Sequence, residues 1–339
     1  MSKKFFVKML VVLLLAILYV VYSLYSISYD KNKEEPVLRD MQKTQLPQSI
    51  RIKPNVCPKE KREINIALIT DSKYTIPTAT SMYSAIKNKC KNSIYNFYII
   101  TENTTKDDDN FLLSLKDISR DSVNITLIPR TEPNLPFENM ERFIRYKVGM
   151  HKIYLPEILS SINKVIYMDG DTIVLKDLNS LYDIDISNVY ASVARDGIYY
   201  RFMKEMKEMG LDKRGYYFNS GVMLYNLDLQ RKESITDKLV NYVKTNDDFY
   251  GDQDALNIVF EDKLKAMSYR YNCIPTFFEE DDLNFLSKYH EEELPKEKFY
   301  IYENSTIIHY AGSKPWDNDF RPLYLKELWF KYYKEVMSR

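Results

Sequence analysis

The segment Val165–Asp171 has the sequence VIYMDGD, an apolar strand that ends in two carboxylates. Asp169 and Asp171 are spaced i and i+2, and we expect Gly170 between them to relieve backbone strain. Both carboxylates can therefore reach one cation. A hard divalent ion that also binds phosphate oxygens suits such a site, because it takes a few protein oxygens and leaves its other positions to substrate and water. An ordinary Asp-Gly turn is the alternative, and the triplet alone does not choose between the two.

This strand continues an alternation of strands and helices that begins near residue 64. Apolar runs predict strands at 64–70, 95–101, 123–128 and 164–168, and helical patterns lie at 78–88, 107–119 and 146–159. The order predicts an α/β fold with a mostly parallel, Rossmann-like central sheet flanked by helices. Ligands of such sheets gather beyond the carboxyl ends of the strands, which is where Asp169 and Asp171 stand.

A long apolar segment precedes the predicted domain. Residues 9–27 contain no charge, which is enough helix to cross a bilayer, and Lys3, Lys4 and Lys8 before them favour a cytoplasmic amino terminus. We predict a cytoplasmic tail at 1–8, a transmembrane signal anchor at 9–29, a polar stem at 30–62 and the folded domain at 63–339. A cleaved signal peptide is the alternative.

The overall composition excludes some classes of protein. Lys plus Arg and Asp plus Glu both number 48, so no overall positive field predicts binding to nucleic acid. The three cysteines, Cys57, Cys90 and Cys273, are too few for a disulfide scaffold or a zinc cluster, and one disulfide with one free thiol is an open alternative. Glycosylation sequons begin at Asn103, Asn124 and Asn304 and fit a lumenal domain.

Further polar residues lie beside apolar segments. His309 lies in IIHYAGSKPW (307–316), and an imidazole added to two carboxylates favours Mn²⁺ over Mg²⁺. In the same segment Gly312 and Lys314 offer a backbone amide and an ammonium to phosphate. The sequence YYFNSGVMLYNL (216–227) places an amide and bare backbone just before a predicted strand, and GDQD (251–254) opens a helical pattern.

Taken together, DGD, FNSGVMLYNL, DQDALN and IIHYAGSKPW resemble, in this order and spacing, glycosyltransferase family 8, the retaining sugar-nucleotide transferases with a GT-A fold. The likeness runs from about residue 64 to residue 316. It is nearest to bacterial lipopolysaccharide galactosyl- and glucosyltransferases and to lumenal eukaryotic members such as xylosyltransferases. The sequence departs from the family in one spacing, because a single residue, Ser313, separates Gly312 from Lys314 where members commonly have two.

The resemblance implies a role for each matching residue. Asp169, Asp171 and His309 would hold Mn²⁺, with Mg²⁺ as an alternative, and Asp252 and Gln253 would lie beneath the anomeric carbon as the catalytic pair. The remaining matches would bind the UDP-sugar donor: Asp71 and Tyr74 on uracil, Lys152, Asp169 and Gly170 on the donor, Asp196, Asn219, Ser220 and Gly221 on the sugar, and Gly312 and Lys314 on the diphosphate. Lys152 on a solvated helix face is the alternative for that residue.

The implied function is transfer of galactose, glucose or xylose from a UDP-sugar to a hydroxyl of a glycan, glycoprotein or glycolipid. Its rivals are a noncatalytic lumenal relative that binds glycans or escorts another transferase, and a phosphohydrolase built on the same carboxylates. The signal anchor predicts a single-pass type II membrane protein, Golgi lumenal in a eukaryote or tethered to the envelope in a bacterium.

Overall fold

The central sheet forms because successive apolar segments each bury their side chains between helices. A computed structural model describes residues 56–130, 148–197, 207–208, 210, 216–246, 251–261, 263–274, 283–296 and 298–339. The strands are β1 (Arg62–Asp71), β2 (Ser93–Glu102), β3 (Val123–Pro129), β4 (Lys164–Met168), β5 (Thr172–Val174), β6 (Ala191–Arg195), β7 (Phe218–Asn226), β8 (Leu264–Ala266) and β9 (Ile307–His309).

Helices connect and cover these strands. The α-helices are α1 (Thr75–Asn88), α2 (Lys106–Ser114), α3 (Leu155–Ile158), α4 (Asn179–Tyr182), α5 (Leu227–Lys232), α6 (Ile235–Thr245), α7 (Gly251–Val259), α8 (Leu283–His290), α9 (Lys298–Asn304) and α10 (Leu323–Met337). Shorter 3₁₀ helices span Leu115–Ile118, Gly149–Tyr154 and Tyr269–Tyr271. These described elements all fall within one compact unit, Arg51–Arg339.

The seven-stranded sheet has the order β3-β2-β1-β4-β7-β6-β8. Strands β3, β2, β1 and β4 run parallel, β6 and β8 are parallel to each other, and β7 is antiparallel to both of its neighbours. The predicted α/β fold with a mostly parallel sheet is therefore confirmed. Because β7 runs the other way, its first residues lie at the edge where β4 ends.

Most predicted elements occur with small changes in their bounds. The polar triplet Asn219–Gly221, expected just before a strand, instead lies inside β7, where every residue from Phe218 to Tyr225 is buried. The strand begins earlier than the sequence predicted, because Phe218 pairs with Arg195 of β6 and its backbone N–H and C=O bond to the Asn257 side chain. The helix predicted at 146–159 is the 3₁₀ helix Gly149–Tyr154 followed by α3, and residues 146–147 lie outside the described part.

One apolar cluster lies between the sheet and the helices that cover one of its faces. Its fully buried members include Ala67 from β1, Tyr167 from β4, Met223 from β7, Leu239 from α6 and Leu256 from α7. The predicted tail (1–8), signal anchor (9–29) and most of the stem (30–62) lie outside the described residues. Within the ranges given above, no helix is both long and apolar enough to span a membrane.

A disulfide joins Cys57, ahead of β1, to Cys90 after α1, with 5.5 Å between the Cα atoms. The backbone N–H of Cys90 also donates to Asp177 Oδ2 at 2.7 Å. Cys273 is a buried free thiol. The structure thus assigns the pairing that the sequence left open, and ties the start of the domain to the end of its first helix.

Removing this disulfide should destabilise the domain. The cross-link closes a loop with a sequence separation of 33, so Cys57→Ser should lower the free energy of unfolding by roughly 2–4 kcal/mol through the entropy of the unfolded chain. Thermal unfolding with and without reductant measures this. Reductant should lower the Tm of the natural protein to that of the variant and leave the variant unchanged; a natural protein insensitive to reductant would contradict the pairing.

Candidate active site at the carboxyl end of β4

The segment Asp169–Asp171 is fixed by backbone hydrogen bonds on both sides. The N–H of Asp169 donates to the carbonyl of Gly221 in β7 at 2.7 Å, and the carbonyl of Asp171 accepts from the N–H of Tyr310 after β9 at 2.9 Å. Strand β5 follows at once and pairs with β9, with Thr172 opposite His309. This pairing brings an imidazole from the far end of the sequence to the two carboxylates.

Asp169, Asp171 and His309 form a cluster with the geometry of a cation site. The imidazole Nε2 of His309 lies 3.5 Å from Asp171 Oδ1 and 3.7 Å from Asp169 Oδ2, and one ligand atom from each residue lies within 4.8 Å of the others. Asp171 Oδ1 is buried and has no hydrogen-bond partner. A buried carboxylate oxygen without a donor is stabilised by a cation, so these three residues fit a divalent metal ion.

Close backbone packing explains the two glycines of the site. A Cβ on Gly170 would lie 2.4 Å from Thr78 Oγ1 in α1, so Gly170 is needed for this contact with the helix rather than for relief of backbone strain. A Cβ on Gly221 would lie 2.0 Å from Cε1 of His309. The imidazole therefore rests directly on the backbone of β7, and any side chain at Gly221 would displace it.

Two lysines balance the carboxylates. Lys152 is 4% exposed and lies 3.2 Å from Asp169 Oδ1 and 2.9 Å from Asp252 Oδ2, so it does not occupy a solvated helix face. Burial opposes its charge, but the two carboxylates outweigh this and raise the pKa of Lys152 above its ordinary value. Lys314 contacts Asp171 Oδ2, and its ammonium donates to the carbonyl of Tyr310 at 3.0 Å.

The same balance holds at the second lysine. Burial opposes the charged form of Lys314, but the carboxylate of Asp171 raises its pKa overall. Burial likewise disfavours the Asp171 carboxylate, yet the Lys314 ammonium holds its pKa well below the usual range. Lys314 therefore reaches the site even though a single residue separates it from Gly312. Gly312 itself lies in the exposed turn after β9, with a φ of 81°.

Hydrogen bonds join the start of β7 to α7. The hydroxyl of Ser220 donates to Asp252 Oδ2 at 2.8 Å, and its backbone N–H donates to Gln253 Oε1 at 2.9 Å. The amide of Asn219 donates to Asp196 Oδ2 at 3.1 Å. These contacts place the predicted sugar-binding and catalytic residues side by side at the edge where β4 ends.

The loop after β1 forms the other end of the site. Asp71 Oδ1 accepts a hydrogen bond from the backbone N–H of Tyr74 at 2.9 Å, which orders the turn into α1. The Tyr74 ring meets Trp316 edge to face, with 6.0 Å between centroids. Burial, and then the Asp171 carboxylate, raise the pKa of Tyr74 to about 12, so its hydroxyl stays protonated at neutral pH.

The structure brings most of the predicted site residues to one cavity of about 560 Å³. Those that line it are Asp71, Tyr74, Lys152, Asp169, Gly170, Asp171, Asp252 and Lys314. Six others do not line the cavity. Ser220, Gly221, Gln253 and His309 are joined to this group by the contacts given above, and Asp196 is hydrogen-bonded to Asn219, which precedes Ser220 in β7. Gly312 is the predicted residue for which the structure records no contact with the group.

Sequence reasoning missed several residues. The Tyr167 hydroxyl donates to Asp169 Oδ1 at 2.6 Å, and its position two residues before Asp169 on the same strand face could have indicated this. A Cβ on Gly149 would lie 3.2 Å from Asp252 Oδ1, so the glycine permits a close approach. Asn272 contacts His309 Nδ1 at 2.9 Å, and no pattern in the sequence marks it.

Comparison with known proteins agrees with this geometry. Residues 65–319 match glycosyl transferase family 8, which covers well over half of the chain. The chain belongs to glycosyl transferase family 8. The predicted family is thus confirmed.

Individual relatives agree with this assignment. The chain is 31% identical over 218 residues to a putative glycosyltransferase of Haemophilus influenzae, covering 63% of this chain and 64% of the relative. The chain thus spans just under two thirds of that relative. It is 27% identical over 267 residues to a lipopolysaccharide 1,2-glucosyltransferase of Escherichia coli, covering 76% of this chain and 74% of that protein.

A solved structure shares the fold. The galactosyltransferase LgtC, determined in complex with donor and acceptor sugar analogs, superposes with a TM-score of 0.65 and 21% identity, covering 80% of this chain and 96% of that one. The similarity supports a GT-A-like fold for this family 8 chain.

The contact between Gly221 and His309 gives a direct test of the site. Gly221→Ala should push the imidazole away from Asp169 and Asp171, because its Cβ would overlap the ring, and should weaken Mn²⁺ binding by at least about 10-fold. Isothermal titration calorimetry with MnCl₂ measures the affinity. Ser192→Ala, a small change at a buried position in neighbouring β6, is the control and should leave it unchanged. Equal affinities for Gly221→Ala and the natural protein would contradict the assignment.

Proposed function

We propose that the protein transfers galactose, glucose or xylose from a UDP-sugar to a hydroxyl of a glycan, glycoprotein or glycolipid, with retention of the anomeric configuration. The observation that carries the proposal is the Asp169, Asp171 and His309 cluster with Lys314 against it. Two carboxylates and an ammonium line the cavity, and the His309 imidazole lies against the carboxylates. This set of groups suits a diphosphate bound through a cation.

The three-residue cluster would hold Mn²⁺, with Mg²⁺ as the alternative. The nitrogen ligand favours Mn²⁺, because Mg²⁺ prefers oxygen ligands and retains its waters. When bound, the ion would supply Lewis-acid stabilisation of the diphosphate oxygens. Lys314, which contacts Asp171 at the same point, would stabilise the negative charge that develops on the departing UDP.

The loop after β1 would bind the nucleoside. Tyr74 lines the cavity and offers a ring face to a base, while Trp316 supports that ring from its edge. Asp71 also lines the cavity, and a carboxylate there can accept a hydrogen bond from the imide N–H of uracil. The ribose and the diphosphate would lie in the part of the cavity between this loop and Lys314.

The residues at the start of β7 and of α7 would hold the sugar. Asp252 is paired with Lys152 at 2.9 Å and accepts a hydrogen bond from the Ser220 hydroxyl, and both contacts make its carboxylate a weaker nucleophile. Gln253 is a carboxamide, and its Oε1 is held by the backbone N–H of Ser220. This arrangement favours electrostatic support of an oxocarbenium-like transition state over a covalent adduct.

The printed names of similar proteins support the proposed donors and acceptors. One relative is named a lipopolysaccharide glucosyltransferase and one similar structure a galactosyltransferase, so hexoses are the first donors to test and glycolipids the first acceptors.

Loss of a cation ligand should abolish transfer. Asp171→Asn keeps the shape of the side chain but removes its charge, and should lower Mn²⁺-dependent release of UDP from the best of UDP-galactose, UDP-glucose and UDP-xylose at least about 100-fold. Asp228→Asn, at a partly exposed position of α5 where the carboxylate pairs with Lys232, is the matched control and should retain activity. Release of UDP by the full chain, and the configuration of the product by NMR, are the measurements.

Undiminished turnover by Asp171→Asn would exclude the cation assignment. Absence of both turnover and UDP binding in the natural protein would favour a noncatalytic glycan-binding relative. A product that lacks the sugar would favour a phosphohydrolase.

We also propose that the catalytic domain lies outside the cytosol, on a type II membrane anchor: in the Golgi lumen of a eukaryote or in the envelope of a bacterium. The Cys57–Cys90 disulfide supports this, because such bonds persist in oxidising compartments. The sequon residues Asn103 and Asn124 are exposed, whereas Ser305 and Thr306 of the third sequon are buried.

The location can be tested on membranes from the source cell. Cys57 and Cys90 should resist alkylation until reductant is added, and the domain should be protected from protease added on the cytosolic side, because the bilayer separates them. Mass spectrometry of the alkylated peptides measures the first and immunoblotting the second. Free thiols at both positions, or cleavage from the cytosolic side, would place the domain in the cytosol.

A further inference from the structure

Asn272 lies beside the candidate cation site although no sequence motif includes it. It follows the 3₁₀ helix Tyr269–Tyr271 and is 1% exposed. The next residue, Cys273, pairs with β9: its N–H donates to Ile307 at 3.0 Å, and its carbonyl accepts from the N–H of His309 at 2.9 Å. The backbone therefore fixes Asn272 next to the imidazole.

The side chain of Asn272 joins two groups of the site. Its Oδ1 lies 2.9 Å from Nδ1 of His309, and its Nδ2 lies 2.9 Å from Oδ1 of Asn219. The same Asn219 oxygen accepts from the N–H of Gly221 at 2.9 Å, and Asn219 Nδ2 donates to Asp196 at 3.1 Å. A continuous chain of hydrogen bonds thus runs from the imidazole to the predicted sugar-binding residues.

The backbone N–H of Gly221 fixes which atom donates and which accepts in each of these hydrogen bonds. The N–H of Gly221 can act only as a donor, so the Asn219 atom that faces it is the carbonyl oxygen. Asn272 must then turn its NH₂ group towards Asn219 and its own oxygen towards His309. The facing nitrogen of His309, Nδ1, must carry a proton. In the neutral imidazole the lone pair then lies on Nε2, the nitrogen that faces Asp169 and Asp171.

We propose that Asn272 is a positioning residue that holds His309 in the Nδ1-protonated tautomer and links the cation site to the sugar-binding residues. The inference rests on the proposed function, because it assigns Nε2 of His309 to the cation. Metal-ligating histidines are commonly held through their second ring nitrogen, and loss of such a partner typically costs 10–100-fold in metal affinity. Here the partner is an amide, which also orients Asn219.

The two ends of the Asn272 amide have separable roles. Asn272→Leu removes both the oxygen and the NH₂ group. Asn272→Asp keeps an oxygen acceptor for His309 but cannot donate to Asn219, whose oxygen it would repel. Asn272→Leu should therefore weaken Mn²⁺ binding, whereas Asn272→Asp should preserve it and raise the KM for the UDP-sugar.

The experiment uses the full chain and three readouts. The first is the tautomer of His309 by ¹⁵N NMR without metal, in protein labelled at its three histidines and assigned with His309→Gln. The second is Mn²⁺ affinity by calorimetry without nucleotide, and the third is the KM for the UDP-sugar. We expect the Nδ1–H tautomer in the natural protein and in Asn272→Asp, and a mixture with about 10–100-fold weaker Mn²⁺ binding in Asn272→Leu.

Gln230→Leu is the matched control. Gln230 is also a buried amide, 1% exposed, and donates to the carbonyl of Tyr190, the residue before β6, at 2.9 Å. It should lower stability while leaving the His309 tautomer and Mn²⁺ affinity unchanged. A loss of Mn²⁺ affinity in this control as large as in Asn272→Leu would reduce the role of Asn272 to stability and overturn the proposal.

Two further outcomes would overturn the proposal: an Nε2–H tautomer in the natural metal-free protein, or an Asn272→Leu variant with unchanged tautomer and Mn²⁺ affinity. Failure of the proposed function is distinguishable from these. A natural protein that shows the Nδ1–H tautomer and binds Mn²⁺ but transfers no sugar would contradict the transferase activity alone.

Discussion

The contact between the imidazole of His309 and the bare backbone of Gly221 is the constraint on which the site depends. A Cβ at Gly221 would lie 2.0 Å from the ring, so β9 approaches β7 more closely than any side chain would allow. The same glycine accepts a hydrogen bond from the N–H of Asp169 and donates one to Asn219. Three segments that are distant in sequence therefore meet at one residue, and the positions of the cation ligands follow from it.

Charge balance is the second constraint on this edge of the sheet. Asp169, Asp171 and Asp252 face the ammonium groups of Lys152 and Lys314, and most of these groups have little contact with water. Buried charges are tolerated when they are paired, and here three formal negative charges meet two positive ones. The remaining negative charge favours binding of a divalent cation. With the ion bound, the cluster of carboxylates, ammonium groups and ion has a net positive charge, which favours binding of a diphosphate.

Strand direction explains how these residues come to share one edge. Ligands of a parallel sheet gather beyond the carboxyl ends of its strands, and Asp169 and Asp171 follow β4 in this way. Strand β7 runs antiparallel to β4, so its first residues, including Asn219, lie at that same edge. The antiparallel pair of β5 and β9 then adds His309 from the far end of the chain.

The sequence by itself determined the alternating strands, the mostly parallel sheet, the family, and the residue types of the site, because buried strands and the motifs DGD and IIHYAGSKPW are local patterns. Tertiary structure alone decided that Lys152 lies between two carboxylates, that Cys57 pairs with Cys90, and that Asn272 holds His309. These contacts join residues far apart in the chain. Their partners are selected by strand pairing and close packing, which sequence spacing does not encode.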